Sequence, residues 1–354
     1  MSAPGRLTIV GSGLAGSLLA LELVERGLAV TLIDAEEATA TAFSYGGVAW
    51  WAGAPGPLGP LLRQAPARWR RLQERHGPLG WRRCGLRLHG GGWGSSQLRP
   101  PFAQVDTAVL MAALPRVLAA AGVERRRGRV MAPPQPVAAG WQLELESGDP
   151  LLAEQVVLAA GAGCRFLAPA LPVRLRASWA GVLAQPIRAP LSTASASPWL
   201  RHAARRRIVQ PRHWQRPALE AAAPGLEEER WIVDAGFAPW GEGLLLGQIS
   251  LVRPGLDSGE PPPAAAMEEH LRQGLTGLDP LLAALPGPFR QVPVAFCSNG
   301  LPLAGPLPGA AGLWVFSGFG GAFAQVPVLA PVLADVIAGV ADPGGLARFG
   351  VLPG

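Results

Sequence analysis

Lysine is absent from this 354-residue sequence, so all 31 of its basic residues are arginines. The absence excludes Schiff-base lysines and every other lysine-centred reaction. With 25 acidic residues, the formal net charge is +6. Arginines cluster at residues 68–71, 125–129 and 205–207, but few aromatic residues lie between them and no nucleic-acid-binding motif accompanies them. We interpret the clusters as solvated faces and expect no nucleic-acid partner.

Cysteine is also scarce. Cys84, Cys164 and Cys297 lie far apart and form no C-x-x-C pair, which argues against a disulfide framework and against a zinc or other metal site. Separate thiols of this kind are typical of a reduced compartment, so we predict a cytoplasmic protein. Strand character begins almost at once, which leaves no room for a signal peptide.

Neither an internal repeat nor an uninterrupted membrane span is present. Residues 315–340 are long and apolar enough to imitate a span, but glycines fill the first half and Asp335 interrupts the second. We predict a buried strand, a glycine turn and a helix there, and no membrane span. The chain is 49% hydrophobic and 16% charged, which suffices for a large core, and its length favours two domains.

A glycine-rich turn follows the first apolar run. Leu7–Val10 has strand character, Gly11, Gly13 and Gly16 follow it, and leucines at helical spacing begin at Leu18. In such a turn the first glycine permits a tight bend, the second lets a pyrophosphate approach the backbone, and the third lets helix and strand pack closely. The free N–H groups at the start of the helix would face the phosphates.

The residues after this helix narrow the ligand class. Gly27 ends the helix as a C-cap, residues 28–34 predict a second strand, and Asp34 stands at its tip. An acidic side chain in this place accepts hydrogen bonds from an adenosine ribose and disfavours a 2′-phosphate. The segment therefore predicts an adenine dinucleotide other than NADP, and leaves NAD and FAD open.

Later segments differ from a plain NAD-binding domain. After Asp34 the chain enters a small-residue loop with Gly46, Gly47 and several aromatic residues, which can run close to a large planar ligand. Residues 106–122 predict an amphipathic helix with Asp106 or Thr107 near its cap. The final unit predicts a strand at Leu313–Ser317, a glycine turn at 318–321 and a helix to residue 339.

In this order the motifs resemble the FAD-dependent oxidoreductases of the D-amino acid oxidase type, which include glycine oxidase and sarcosine oxidase. The resemblance spans nearly the whole chain and is most specific in the first and last motifs. It implies an α/β fold with FAD as cofactor: a Rossmann-like FAD-binding domain of the glutathione-reductase type and an inserted antiparallel-sheet substrate domain. The implied FAD-binding domain comprises residues 1–70, 103–165 and 298–354, and the implied substrate domain comprises residues 71–102 and 166–297.

The resemblance also implies the cofactor-binding residues, by position in this sequence. In the family, the last helix points its N-terminus at the pyrimidine end of the flavin, where negative charge gathers on reduction. The implied residues are Gly11, Gly13, Leu14, Ala15 and Gly16 around the pyrophosphate; Asp34 and Ala35 at the adenosine; Val130 near the adenine; Gly46, Gly47 and Val48 near the flavin; Gly161; and Gly318, Phe319, Gly320, Gly321 and Ala322 along the isoalloxazine ring.

The substrate side departs from the family pattern. Members usually carry an arginine that clamps the substrate carboxylate, in a run like R-P-x-x-x-D. Val294 stands in the place of that arginine, and Asn299 replaces the aspartate. The family's substrate-sheet tyrosines are also missing, since Tyr45 is the only tyrosine, and no lysine is available to assist oxygen. Either the substrate is not a simple α-amino acid or another arginine supplies the clamp.

Three arginines are candidates for that replacement, namely Arg87, Arg253 and Arg290. His89 and His213 are possible bases near neutral pH, but we assign no catalytic residue, because dehydrogenation of a free amine needs little acid–base help. Tryptophans 179, 199, 214, 231 and 240 either pack the substrate sheet or form a wide aromatic pocket. Residues 194–229 show little periodicity, and we expect a mobile loop or lid over the site.

We therefore expect an FAD-dependent oxidoreductase that takes a hydride from a carbon bearing an amine onto flavin N5. Its partner is a small-molecule substrate, and the sequence leaves open whether oxygen or another acceptor reoxidises the flavin. An alternative is a flavin-binding protein with a degenerate substrate site and little turnover. An NAD-dependent enzyme would require the C-terminal glycine block to be coincidence.

Overall fold

A computed structural model of the protein describes residues 6–51, 56–90, 101–185, 197–213 and 215–353. Its strands are β1 Arg6–Val10, β2 Ala29–Asp34, β3 Gly47–Val48, β4 Trp81–Cys84, β5 Leu86–His89, β6 Phe102–Val105, β7 Glu124–Arg127, β8 Gln135–Val137, β9 Gly140–Glu144, β10 Pro150–Ala153, β11 Gln155–Leu158, β12 Leu175–Gln185, β13 Ile208–Pro211, β14 Arg230–Trp240, β15 Gly243–Val252, β16 Phe289–Cys297, β17 Leu303–Pro306 and β18 Leu313–Ser317. Its helices are α1 Leu14–Glu25, α2 Gly59–Leu62, α3 Ala65–His76, α4 Thr107–Ala120, α5 Cys164–Leu167, α6 Pro198–Ala204, α7 Arg216–Ala222, α8 Ala264–Leu278, α9 Pro280–Ala283, α10 Ala322–Ile337 and α11 Gly344–Ala347.

A six-stranded sheet in the order β17-β18-β11-β1-β2-β7 holds the N-terminal motif. All of its pairs are parallel except β17 with β18. Side chains alternate between its faces, as the pleat requires: Leu7 and Ile9 pack toward α1, α4 and α10, while Val10 packs toward the small sheet β10-β9-β8. Both faces are covered, which is typical of parallel sheets.

A second six-stranded sheet has the order β16-β12-β15-β14-β13-β5, and every pair in it is antiparallel except β13 with β5. Helix α8 covers one face, where Met267, Leu271 and Leu275 are fully buried. A Rossmann-like parallel sheet and a large antiparallel sheet in one chain confirm the expected fold class. The boundaries between the two domains stay a prediction.

The expected loop at residues 194–229 was wrong in its described part. Residues 198–204 form α6, residues 208–211 form β13 and residues 216–222 form α7. Strand β13 is short and is held between two distant strands, since Val209 pairs with Phe237 and with Arg87. A four-residue strand is too short to show the alternation of apolar and polar residues that predicts a strand, and this one is stabilised by distant partners. Residues 194–196 and Trp214 lie outside the described residues.

Other local predictions hold with adjusted boundaries. Asp106 caps α4, since its Oδ1 accepts the Ala108 N–H at 3.2 Å. Strands β14 and β15 form a hairpin whose turn lies at residues 241–242. Strands β4 and β5 are separated by one residue but belong to different sheets.

The apolar segment 315–340 forms β18, a glycine turn and α10, as predicted. Helix α10 is buried on almost every side between α1 and α3, which explains why its sequence lacks a polar face. Within the described ranges, no helix is long and apolar enough to cross a membrane.

Candidate active site

A cavity of about 1320 Å³ is lined both by residues at the carboxyl ends of the parallel strands and by residues of the antiparallel sheet. Its walls include Gly11 after β1, Asp34 at the end of β2, Ala159 after β11 and Gly318 after β18. In open α/β sheets, ligands bind outside the carboxyl ends of the strands. The volume exceeds the roughly 300–1,000 Å³ of a pocket for one drug-sized ligand. It has room for a dinucleotide and a second molecule.

Most of the predicted cofactor residues meet at this cavity. Gly16, Gly46 and Val48 lie behind its wall, and Val48 is fully buried in the core. The predicted residues that line the cavity are Gly11, Gly13, Leu14, Ala15, Asp34, Ala35, Gly47, Val130, Gly161, Gly318, Phe319, Gly320, Gly321 and Ala322.

The glycines of the two turns are required for two different reasons. A Cβ on Gly11 would lie 2.5 Å from the Ala159 carbonyl oxygen, and one on Gly16 would lie 1.9 Å from that of Gly11. Backbone packing therefore excludes side chains there. Gly320 and Gly321 have no such backbone neighbour and no positive φ. A Cβ on Gly320 would meet nothing within 4 Å, and one on Gly321 would meet only Gln325 Cδ, at 4.0 Å.

Gly320 and Gly321 thus have no structural need to be glycine within the described protein, although both line the cavity. Gly13 is similar, since its Cβ would meet only Thr41 Oγ1, at 3.3 Å. The bare backbone at these positions fits a large ligand that lies flat against the wall. Glycines that line the cavity without a structural need of their own are therefore consistent with FAD as its ligand.

Asp34 forms the charged end of the cavity. Its Oδ1 accepts the Glu36 N–H at 2.8 Å, and its Oδ2 pairs with Arg125 Nη2 at 2.8 Å. Burial raises the pKa of this carboxyl, but the Glu36 N–H, the Ser12 hydroxyl and the Arg125 guanidinium together bring its pKa below the ordinary value. Asp34 is therefore an anion at neutral pH, as a ribose acceptor must be.

Because the pKa of Asp34 is lowered in the folded protein, its contribution to stability is present above its unfolded pKa, near 3.8, and is lost as pH falls through the folded value. We expect the free energy of unfolding of wild type to exceed that of Asp34→Asn above pH 4 and to converge with it at lower pH. Urea unfolding of both proteins from pH 6 to pH 2.5 measures the difference. A difference that grows on acidification would contradict the assignment.

Two helix N-termini border the cavity. At α1 the Leu14 N–H donates to Thr41 Oγ1 at 3.0 Å, so this predicted pyrophosphate contact already has a side-chain partner. At α10 the Gly321 N–H donates to Gln325 Oε1 at 3.2 Å. Phe319 packs edge-on against Phe316, which holds the glycine turn between β18 and α10 in place.

The opposite wall belongs to the antiparallel sheet. Ala180 and Val182 on β12 face the cavity together with Val292 and Val294 on β16. Val294 therefore lies on an apolar part of the cavity wall, and its equivalence to the family's arginine stays a prediction. Gln210 and Gln248 add two amides to this wall.

Only one of the three arginine candidates reaches the cavity. Arg290 lines it, on the same strand as Val294 and four residues away. Arg253 is occupied elsewhere, since it pairs with Glu229 and donates to the carbonyl oxygens of Ser258 and Glu260. Arg87 lies on edge strand β5, outside the cavity wall.

Two charged residues of the cavity wall are not among the residues predicted from the sequence. Arg216 and Glu220 on α7 both line the cavity, and Arg216 Nε donates to Glu220 Oε1 at 2.7 Å. Their i, i+4 spacing could have predicted an ion pair, because residues four apart lie on the same face of a helix. The prediction of a loop for this segment excluded that interpretation.

The histidine and tryptophan hypotheses receive no support from the cavity wall. His89 contacts the Ala235 carbonyl oxygen and packs against Trp199, and neither His89 nor His213 lines the cavity. The described members of the predicted tryptophan set also lie elsewhere: Trp179, for example, donates to the carbonyl oxygens of Ser258 and Gly259. The aromatic pocket was therefore wrong for these residues, and phenylalanines such as Phe43, Phe102 and Phe319 line the cavity instead.

Cys297 is the cysteine at the cavity, and its surroundings suppress its reactivity. Burial raises the pKa of its thiol to about 12, so it is not a nucleophile at neutral pH. Tyr45 also lines the cavity. Its hydroxyl donates to the Gly247 carbonyl oxygen at 2.7 Å, and burial raises its pKa. No histidine of the chain lines this wall in its described part.

We therefore expect FAD to be held without a covalent bond. Precipitation of the purified protein with trichloroacetic acid should leave the flavin absorbance in the supernatant. The same treatment of Cys297→Ser should give an identical result and serves as the control. Flavin that stays in the wild-type pellet but not in the Cys297→Ser pellet would contradict the expectation.

Comparisons with known proteins agree with this geometry. The chain resembles the solved structures of glycine oxidase from Geobacillus kaustophilus (20% identity, 99% of each chain covered, TM-score 0.73) and iminodiacetate oxidase from Chelativorans sp. BNC1 (20% identity, 98% of this chain and 99% of that chain, TM-score 0.68). It also resembles L-proline dehydrogenase from P. horikoshii (14% identity, 95% and 94%, TM-score 0.68). At these identities the likeness is one of fold. No curated protein matches the sequence.

The family assignment rests on the sequence itself. The model of the family described as FAD dependent oxidoreductase, or DAO, matches residues 6–101 and 93–336. These ranges include both glycine turns and the whole antiparallel sheet. The chain belongs to the DAO family of FAD-dependent oxidoreductases, and its cofactor is FAD.

Proposed function

We propose that this enzyme oxidises a small amine or amino acid at the carbon that bears the nitrogen. The observation that carries the proposal is the arrangement of the cavity: the bare glycine turn 318–321 faces an apolar wall formed by Val292 and Val294 across a space large enough for a second molecule. The relatives of similar fold are named for oxidation of glycine, iminodiacetate and L-proline, which are all amines.

FAD supplies the chemistry when bound, by accepting a hydride at N5 from the substrate carbon. We propose that Asp34 and Ala35 hold the adenosine, that Gly13 and Ala15 approach the pyrophosphate, and that Gly47 and the turn from Gly318 to Ala322 line the flavin. Because α10 begins at that turn, its N-terminal dipole would stabilise negative charge on the adjacent end of the ring.

The protein's own part is to position the amine and to exclude water. Ala180, Val182, Val292 and Val294 supply an apolar surface beside the reacting carbon, and a dry site strengthens the remaining electrostatic contacts. No histidine among the described residues lines this wall. The substrate nitrogen must be neutral when its carbon loses the hydride, because the nitrogen lone pair assists that loss.

The experiment that tests this proposal measures both the reduction of the flavin and the product formed from the amine. The FAD-loaded protein is mixed without oxygen with a panel of primary and secondary amines, and any imine that forms hydrolyses to a carbonyl compound. We expect one equivalent of carbonyl product for each flavin reduced. Reduction without carbonyl product would overturn the proposed reaction.

The degenerate-site alternative has one observation in its favour, namely Val294 in the place of the family's arginine. It predicts an FAD-loaded protein that no amine reduces. The charged residues that line the same wall, Arg216, Glu220 and Arg290, distinguish this cavity from an inert one.

A further inference from the structure

The cavity wall contains an ion pair with unused hydrogen-bonding capacity. Arg216 and Glu220 have side chains that are 16% and 11% exposed, and both line the cavity. Arg216 uses its Nε for Glu220, and its two terminal nitrogens have no partner among the described residues. Glu220 Oε2 likewise accepts no hydrogen bond there. Each member of the pair therefore presents free hydrogen-bonding groups.

The pair is held in a fixed place. Asp234 is buried and accepts the N–H groups of Gln215 and Arg216 at 3.0 and 3.2 Å, which anchors the start of α7. The helix lies against β15 and β16. A charged group on an anchored helix is pre-organised for binding, since little freedom is lost when a ligand arrives.

The pair also lies near the flavin end of the cavity. Leu219, on the same helix, and Ala223, directly after it, pack against Phe296, the residue before Cys297. The Sγ of Cys297 lies 2.5 Å from the position that a Cβ on Gly318 would take. Arg290, by contrast, lies seven residues before Cys297 on β16, about 23 Å away at 3.3 Å per residue.

We infer that Arg216 and Glu220 together bind a zwitterionic substrate. The terminal nitrogens of Arg216 hold the substrate carboxylate, and the carboxylate of Glu220 holds the ammonium group and takes from it the one proton that must leave before the nitrogen is neutral. This inference rests on the proposed amine oxidation and names its substrate class as amino acids. It supplies the carboxylate clamp that Val294 cannot. A bound zwitterion pairs with both members and leaves no buried charge uncompensated.

Three small ions of similar shape test the inference without any electron transfer. Trimethylacetate carries only the negative charge, tetramethylammonium carries only the positive charge, and glycine betaine carries both. The quaternary nitrogens lack the lone pair that amine oxidation requires. Each ion is titrated into the FAD-loaded enzyme, and the change in the visible flavin spectrum gives its Kd.

Arg216→Gln should weaken trimethylacetate and betaine about ten- to hundredfold and should strengthen tetramethylammonium, because Glu220 loses its partner. Glu220→Gln should do the reverse, weakening tetramethylammonium and betaine and strengthening trimethylacetate. A pair with a purely structural role would shift all three ions in the same direction.

The matched control is Glu268→Gln, which breaks an ion pair of the same i, i+4 kind with Arg272 on α8, away from the cavity. We expect it to leave all three Kd values unchanged. Parallel shifts in the two α7 variants would overturn the inference, as would a failure of betaine to bind the FAD-loaded wild type. Failure of the proposed function is distinct, since it appears as a flavin that no oxidisable amine reduces even though these ions bind.

Discussion

Gly320→Val is expected to weaken FAD binding at least a hundredfold while the melting temperature of the apoprotein stays within about 2 °C of wild type. A Cβ at Gly320 meets no protein atom within 4 Å, and the residue does not adopt a positive φ. The apoprotein therefore tolerates a side chain there. The new isopropyl group projects into the cavity, where the flavin would have to lie against it. Differential scanning fluorimetry of the apoprotein and FAD titration by fluorescence quenching measure the two quantities.

Gly277→Val is the matched control for this variant. A Cβ at Gly277 also meets open space, but this glycine lies on the exposed side of α8, outside the cavity. We expect unchanged FAD affinity and an equal or higher melting temperature, because valine is a better helix former than glycine. Equal FAD affinity in Gly320→Val and wild type would show that the flavin does not lie against this turn.

Val294→Arg has the second largest expected effect, a gain of at least tenfold in kcat/KM for glycine and alanine. Val294 lines the apolar wall and pairs across the sheet with Ser178, whose hydroxyl is buried and without a hydrogen-bond partner in the described structure. An arginine at position 294 can donate a hydrogen bond to the Ser178 hydroxyl, and its side chain reaches into the cavity. A charge-assisted contact with the substrate carboxylate is worth about 1.5–3 kcal/mol, which is roughly ten- to hundredfold.

Val173→Arg controls for added charge, since Val173 is 69% exposed and lies outside the cavity. It should leave the kinetics of both amino acids unchanged. The gain in Val294→Arg should appear chiefly as a lower KM, because the contact forms with bound substrate as well as in the transition state. No gain in a variant that retains FAD would mean that the substrate carboxylate does not lie beside position 294.

The fold was predictable where local sequence determines local structure. The unit β1-α1-β2 combines an apolar run, a glycine turn and leucines at helical spacing within about 30 residues, so nothing distant is needed to form it. The same holds for β18 and α10. The roles of the individual glycines were not predictable to the same degree, since Gly16 and Gly320 look alike in the sequence. One is fixed by the Gly11 carbonyl group and the other by the cavity.

The substrate side was less predictable, because its parts come together through long-range pairing. Strand β13 exists only because Ile208 to Pro211 bond to strands β5 and β14, which lie far away in the sequence. Helix α7 reaches the cavity because Asp234, on β14, holds its first turn. Arg216 and Glu220 therefore become site residues through contacts that no local pattern reveals.

The most direct measurement is the visible absorption spectrum of the purified protein, recorded before and after addition of primary and secondary amines without oxygen. We predict the visible absorption band of oxidised flavin, and its loss on addition of at least one amino acid. A colourless protein that cannot be loaded with FAD would contradict the cofactor assignment. A flavin band that no amine reduces would contradict the proposed reaction and favour the degenerate site.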